Sequence, residues 1–398
     1  MIDVSLYAVR KQRALSMIAA VAIFCAANVV ILLFLGHLDD ESLRWKDRDF
    51  SNYWIASKLI LEGNALELFR GHDTYFSHMQ DVFGTDYPWH SWSYPPHFLL
   101  LIWPLALAPY GISMVLFLLT TLLIYLHAAF AALRRYPDAS ALYLLPFVLC
   151  NVFSAQNGFM TAAMLLYGLT LRNSRPVIAG VAIGLLTVKP QLGILMPILL
   201  LFERRWTVIL SAAVTAVFTM LIAVLIFGVE TWFGYLRETW PYQVDIMSQG
   251  SGVFLDMMLS TFGAVRSLGH DATIATYLHT PIAIAAFVVF CWTLFRLGQP
   301  YIDTSLIFGT FLISPYSLVY DLGAMVVLSA VIFRRTRAGV LARVVYAGIA
   351  LLPLIGPVAS SLGFPVAPVV LAAGWFLLIH RGDSLRADIP GRDGMQHA

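Results

Sequence analysis

Pro95-Pro96-His97-Phe98-Leu99-Leu100-Leu101-Ile102-Trp103-Pro104-Leu105-Ala106-Leu107-Ala108-Pro109 is the stretch on which the architecture turns. Its apolar part, 97–108, is only a dozen residues long and is bracketed by prolines, whereas a helix needs roughly 20 apolar residues to cross the hydrocarbon core of a bilayer. Longer or comparable apolar runs lie on both sides: 14–35 before it, and 110–133, 139–153, 158–171, 176–188, 190–202, 206–227, 274–295, 301–314, 318–333, 340–356 and 364–380 after it. Several are short, which suits a large bundle with broken or shallow helices.

The basic residues decide how 97–108 is read. They cluster at Arg10/Lys11/Arg13, Arg134/Arg135, Arg172/Arg175, Arg204/Arg205, Arg296, Arg334/Arg335/Arg337 and Arg381/Arg386. If the first helix runs outward and 97–108 is re-entrant, every cluster falls on the cytoplasmic side, as the positive-inside rule requires. If 97–108 crosses, nearly all of them fall outside. The expected fold is therefore an all-α polytopic membrane helix bundle of about 12 transmembrane helices, with a re-entrant or short helix near 97–108. Both termini are expected in the cytoplasm, in a plasma (bacterial inner) membrane. Residues 1–380 read as one domain with two larger external loops, 36–96 and 228–273, followed by a polar, disordered cytoplasmic tail, 381–398.

Composition agrees with this class. The chain has 398 residues, of which 59% are hydrophobic and 12% charged, with a mean hydropathy of +0.77. Soluble domains are usually about 45–50% apolar and roughly 25% charged. A net charge of +2 supplies no field for nucleic acid. Cys25, Cys150 and Cys291 each sit in an apolar run without metal or disulfide spacing. The 14–35 run is too long for a signal-peptide core and is read as a retained helix.

In so apolar a chain, the unusual polar residues gather on the predicted outer face. The first external loop carries Lys46-Asp47-Arg48-Asp49-Phe50-Ser51-Asn52-Tyr53-Trp54, then Asp86-Tyr87-Pro88-Trp89-His90-Ser91-Trp92-Ser93-Tyr94. A cleft at the membrane–water boundary would use such aromatics for a sugar or lipid and such carboxylates for proton transfer. An aromatic belt at the headgroups has the same composition. Asp49 stands before a stretch with helical spacing, so it is also a good helix N-cap, accepting a backbone N–H. Lys189, between two apolar runs, is costly at that depth and suits a phosphate; the alternative is snorkelling to the headgroups. Gln156-Asn157-Gly158 and Tyr316-Ser317-Leu318-Val319-Tyr320-Asp321 are polar breaks at helix ends on the same side, as are His97 and His279. No HExxH, Walker loop or dinucleotide fingerprint occurs.

Taken in order, Asp49-Phe50-x-x-Tyr53-Trp54, Ser93-Tyr94-Pro95-Pro96-His97, Gln156-Asn157-Gly158, Lys189-Pro190-Gln191 and Ser314-Pro315-Tyr316 with Tyr320-Asp321 resemble glycosyltransferase family 87, of the GT-C superfamily of membrane glycosyltransferases. The resemblance covers about residues 15–335. It implies transfer of a sugar, typically mannose, from a polyprenyl-phosphate donor to a lipid or glycan acceptor on the periplasmic or extracellular face, with inversion. It places Asp49 at the catalytic carboxylate of the first external loop, as general base. It further suggests Lys189 at the donor phosphate, with Tyr53, Trp54, Tyr94, His97, Gln156, Asn157, Gln191, Tyr316, Tyr320 and Asp321 around the substrates. No cofactor and no metal ligand are assigned, although Asp47 and Asp49 leave a divalent cation open. Two rivals remain at this stage. An O-antigen polymerase or ligase would use external arginines such as Arg44, Arg48, Arg70, Arg237 and Arg266 on a pyrophosphate. A transporter or flippase would put its ionisable residues near the bilayer midplane.

Overall fold

The computed structural model describes residues 48–133, 137–335 and 339–387. The expected first span, 14–35, and the residue Asp47 lie outside the described residues. Among the described residues the chain is all helical apart from one isolated antiparallel bridge, Met258 with Leu318.

Four helices are long and apolar enough to cross a membrane: Tyr110–Leu133, Trp206–Phe227, Ala272–Arg296 and Val340–Ser361. At about 1.5 Å per residue, 22 to 25 residues reach roughly 33–38 Å. The other apolar helices are shorter, 10–17 residues, and include Tyr143–Ser154, Gly158–Leu171, Pro176–Val188, Pro190–Phe202, Tyr301–Ile313 and Gly323–Ile332. By length and composition four spans qualify, so the expectation of about twelve rests on these short helices crossing within the bundle. Two of them are the centre of the molecule. Every residue from Tyr301 to Leu312 is buried, and Gly158–Leu171 is buried on most of its surface.

The long Trp206–Phe227 helix is the reverse case. Leu210, Val214, Phe218, Leu221 and Leu225 are all exposed, the surface expected of a helix against lipid chains. It packs on Pro176–Leu185 through Gly180 and Gly184. A Cβ on Gly180 would meet Val208 O at 2.6 Å, and one on Gly184 would meet Ala212 O at 2.6 Å. Small residues four apart let two apolar helices approach backbone to backbone where hydrophobic burial gives little drive.

The deciding stretch forms a broken short helix, with 3-10 turns at Pro96–Phe98 and Leu105–Leu107 around α-helical Leu99–Ile102. Pro104 brings no N–H, so the helix cannot continue past Trp103 without leaving backbone groups unpaired. Ser57 supplies the partners: its hydroxyl donates to Trp103 O at 2.5 Å and accepts from Ala106 N–H at 2.8 Å. Ser57 belongs to Phe50–Leu61, the helix that follows Asp49. Trp54 on the same helix donates its indole N–H to Ala108 O at 3.0 Å. The short helix is thereby fastened to the segment that carries Asp49.

At the C-terminus the last helix, Ala367–Ala387, runs beyond Arg381, where a disordered tail was expected to begin. Continuation of the apolar helix carries the first polar residues with it, and residues 388–398 lie outside the described residues.

Candidate active site

Asp49 occupies the N-cap position of Phe50–Leu61, yet its side chain makes no cap hydrogen bond. The carboxylate turns to another helix end instead: Gln156 Nε2 donates to Asp49 Oδ2 at 2.8 Å. Gln156 sits in the turn between Pro137–Ser154 and Gly158–Leu171. That turn is held tightly, because a Cβ on Gly158 would lie 1.8 Å from Tyr320 O and 2.3 Å from Asn151 Oδ1. Only glycine lets the helix start so near the Val319–Asp321 turn.

The hydrogen bonds behind Asp49 form a chain whose direction is fixed. Tyr53 OH donates to Gln156 Oε1 at 2.6 Å, so its single proton is committed. The 3.0 Å contact between the Tyr53 and Tyr94 hydroxyls is then a donation from Tyr94. Asn157 Nδ2 in turn donates to Tyr94 OH at 3.0 Å. Every donor in the series Asn157, Tyr94, Tyr53, Gln156 points toward Asp49. A one-way chain polarises its members and supports negative charge at its end. Both phenols stay protonated and able to donate: burial and the neighbouring Tyr94 hold Tyr53 well above the ordinary phenol range, and burial raises Tyr94. Among the described residues, Asp49 Oδ1 has no hydrogen-bond partner.

Asp49 lines a cleft of about 640 Å³. Its inner wall contains Asn52, Tyr53, Tyr94, Gln156, Tyr316 and Tyr320. Its outer part is made by Trp89, His90, Ser91 and Ser93 of the first loop and by Tyr242, Asp245, Ile246 and Gln249 of the second. The loop around Tyr316 is stitched to the second loop by Leu259 N to Ser317 O at 2.8 Å, Val319 N to Met257 O at 3.1 Å and Ser260 Oγ to Pro315 O at 2.6 Å.

Lys189 and Asp321 form a buried ion pair at 2.9 Å, with the ammonium 4.9 Å from the centre of the Tyr320 ring. Tyr320 lines the cleft, while Lys189 and Asp321 stand outside its wall. Asn157 is fully buried and acts through Tyr94. Three other sequence candidates are placed elsewhere. Trp54 braces the short helix, as above. His97 bonds Thr187 Oγ1 at 3.1 Å and stacks on Trp232. Gln191 is not in the cleft wall. Among the described residues, no group of three or more His, Cys, Asp or Glu is placed to hold a metal ion.

Sequence reasoning treated residues 228–273 only as a loop and missed Tyr242, Asp245 and Gln249. Their spacing was a signal: positions 242, 245, 246 and 249 are one face of a helix, and Trp240–Gln249 is helical. Asn52 was missed too. It adjoins Tyr53 and accepts from Tyr75 OH at 2.9 Å.

An all-helical chain with membrane-length apolar helices, and a polar cleft walled by an oriented carboxylate and aromatic rings, has the build of a membrane enzyme. The family model of glycosyltransferase family 87 matches residues 92–315, more than half of the chain, and the protein belongs to that family. Tyr94, His97, Gln156, Asn157, Lys189 and Gln191 lie inside the matched segment, whereas Asp49 lies before it and is joined to it through Gln156. No curated protein and no solved structure matches the chain.

Proposed function

We propose that this glycosyltransferase is of the GT-C type and moves a hexose, mannose being the family's usual sugar, from a polyprenyl-phosphate donor to a lipid or glycan acceptor, with inversion and with Asp49 as the general base. The carrying observation is the Asp49 carboxylate. One oxygen is held by Gln156 at the end of a one-way donor chain, and the other is without a partner in the wall of a cleft.

An acceptor hydroxyl is a weak nucleophile until its proton is taken as it attacks. In the proposed step the acceptor oxygen bonds to the anomeric carbon, its proton passes to Asp49, and the bond from that carbon to the phosphate oxygen breaks. The electron pair leaves with the prenyl phosphate, and the proton is returned to solvent. Attack opposite to the leaving group inverts the carbon. Lys189 is the proposed partner of the departing phosphate, reached by exchange of the ammonium from Asp321. We place the cleft on the periplasmic or extracellular face of the plasma membrane, with both termini in the cytoplasm and the short buried helices completing about twelve crossings, a reading supported by the sidedness of the basic clusters.

The rival readings lose support. A pyrophosphate-linked glycan calls for cationic side chains at the site, and none of Arg48, Arg70, Arg237 and Arg266 lines the cleft, Arg44 lying outside the described residues. Arg70 is paired with Glu67, and Arg266 is spent on the carbonyls of His270, Ser248 and Gly250. Membership of a glycosyltransferase family favours group transfer over solute transport.

Purified protein in lipid nanodiscs, given polyprenyl-phosphate-mannose and a membrane extract as acceptor source, is expected to release prenyl phosphate and form an α- or β-linked product inverted relative to the donor. Turnover only with pyrophosphate-linked donors, or retention at the anomeric carbon, would overturn the proposal.

A further inference from the structure

The outer half of the cleft has a chemistry that the catalytic reading does not use. The helix Trp240–Gln249 lies over it, presenting Tyr242, Asp245, Ile246 and Gln249 to the cavity, while Trp240 and Val244 on its other side are exposed. The helix is fastened across the cleft to the first loop. Trp89 Nε1 donates to Tyr242 OH at 2.9 Å, Gln243 Nε2 donates to Ser93 Oγ at 2.9 Å, and the His72 ring stacks on Tyr242 at 3.5 Å. These bonds connect two loops about 150 residues apart in sequence. They hold aromatic rings and hydroxyls on either side of one space.

The charge of that space is one-sided. Asp245 lines it beside His90, Asp49 lines the same cleft further in, and no Lys or Arg lines the cleft among the described residues. The Asp245 carboxylate has no ion-pair partner among them either. A carboxylate at this exposed position is met by water when the cleft is empty, and a ligand that displaces that water replaces it best with hydroxyl donors. Aromatic rings beside it offer apolar faces for C–H groups, as a pocket with few oriented polar groups does. An acid group on a sugar seated here would meet Asp245 with no Lys or Arg beside it among the described residues, an arrangement that disfavours the wrong sugar.

We propose that the space between Trp89 and the Tyr242–Gln249 face is an acceptor subsite for an uncharged sugar, and that Asp245 is the residue that selects neutral over acidic sugars. This deepens the glycosyl-transfer reading and rests on it for the word acceptor. A sugar seated there shares the cleft with Asp49, to which it can offer a hydroxyl.

The test uses the full chain in nanodiscs and a matched pair of probes, methyl β-D-glucopyranoside and methyl β-D-glucopyranosiduronate, which differ only at C6. Saturation-transfer NMR is expected to show the neutral sugar bound at least about tenfold tighter (~1.4 kcal/mol), with Trp89→Ala weakening it severalfold. Asp245 is exposed, so Asp245→Lys leaves the fold intact and is expected to level or reverse the preference. Equal binding of the two sugars by the wild type, or a preference unchanged in Asp245→Lys, overturns the proposal. An octyl glucoside arm identifies the source: a large gain from the tail marks a lipid-borne sugar, and none marks the end of a glycan chain. Donor turnover by the wild type is measured alongside. If the preference appears but no polyprenyl-phosphate sugar is consumed, the transfer reading falls and the subsite stands. If donor is consumed and the preference is absent, the subsite alone falls.

Discussion

Two polar clusters occupy opposite ends of the same buried helices and solve opposite problems. At one end, Arg172 is fully enclosed with Glu203 and Asp303. Its Nε and Nη2 donate to the Glu203 carboxylate at 2.8 and 2.9 Å, and Nη2 and Nη1 to Asp303 at 2.6 and 3.1 Å. The second Nη1 proton goes to Leu169 O, so all five guanidinium donors are used. At the other end, Asp49 has one oxygen held and one without a partner. Gly158–Leu171 links the two, a separation of about 21 Å for 14 residues. The same is true of Pro190–Phe202, which ends beside Glu203, and of Tyr301–Ile313, which starts beside Asp303 and leads to Tyr316. A saturated cluster can only hold; an unsaturated carboxylate in a cleft can react. The clamp on Arg172 fixes the far ends of the helices whose near ends carry Gln156, Lys189 and Tyr316.

The comparison is broken most forcefully at Asp49. Asp49→Asn keeps the size of the side chain and removes the proposed base, so transfer is expected to fall by about 10²–10⁴-fold. The melting temperature in detergent should stay within a few degrees, because no buried ion pair is lost. Transfer by the variant at the wild-type rate would remove Asp49 from the mechanism.

The clamp should answer in the opposite currency. Arg172→Met leaves Asp303 buried without its cation and Glu203 paired with Arg205 alone, and is expected to cost about 3–5 kcal/mol of stability, read as a large drop in melting temperature and in folded yield. Adding Asp303→Asn to that variant should recover part of the loss, since the stranded charge is then gone. A variant as stable as the wild type would mean that Arg172 is idle.

Gln156→Leu sharpens the boundary between the two clusters. It removes the bond to Asp49 Oδ2 and strands the Tyr53 hydroxyl, a loss of about 1–3 kcal/mol per unpaired buried group. Transfer is expected to fall about tenfold or somewhat more, less than for Asp49→Asn, as read by the rate of prenyl phosphate release.

Much of the fold was legible because apolar length and turn residues are local properties. Tyr110–Leu133 and Gly158–Leu171 begin and end at the boundaries read from hydropathy. The short helix at 97–108 was marked by its prolines, although the Ser57 hydroxyl that patches its break was not. The number of crossings was less legible, since a buried short helix and a short span have the same composition. In the site, Asp49 was conspicuous by charge in an apolar chain, but sequence left it divided between helix cap and base. Trp54, His97 and Gln191 were grouped with the cleft by motif and sit elsewhere, since neighbours in a motif diverge when the helix between them turns.

Composition and apolar run lengths were enough to determine an all-α membrane-type bundle, because these depend on each segment's own transfer energy and not on its partners. Which oxygen of Asp49 is held, that Arg172 is saturated, and that Asp245 of a distant loop shares a cleft with Asp49 were decided only in the tertiary structure. Those are contacts between residues 100 or more positions apart in several cases, and hydrogen bonding at such separations is set by how helices pack, which no local pattern of residues encodes.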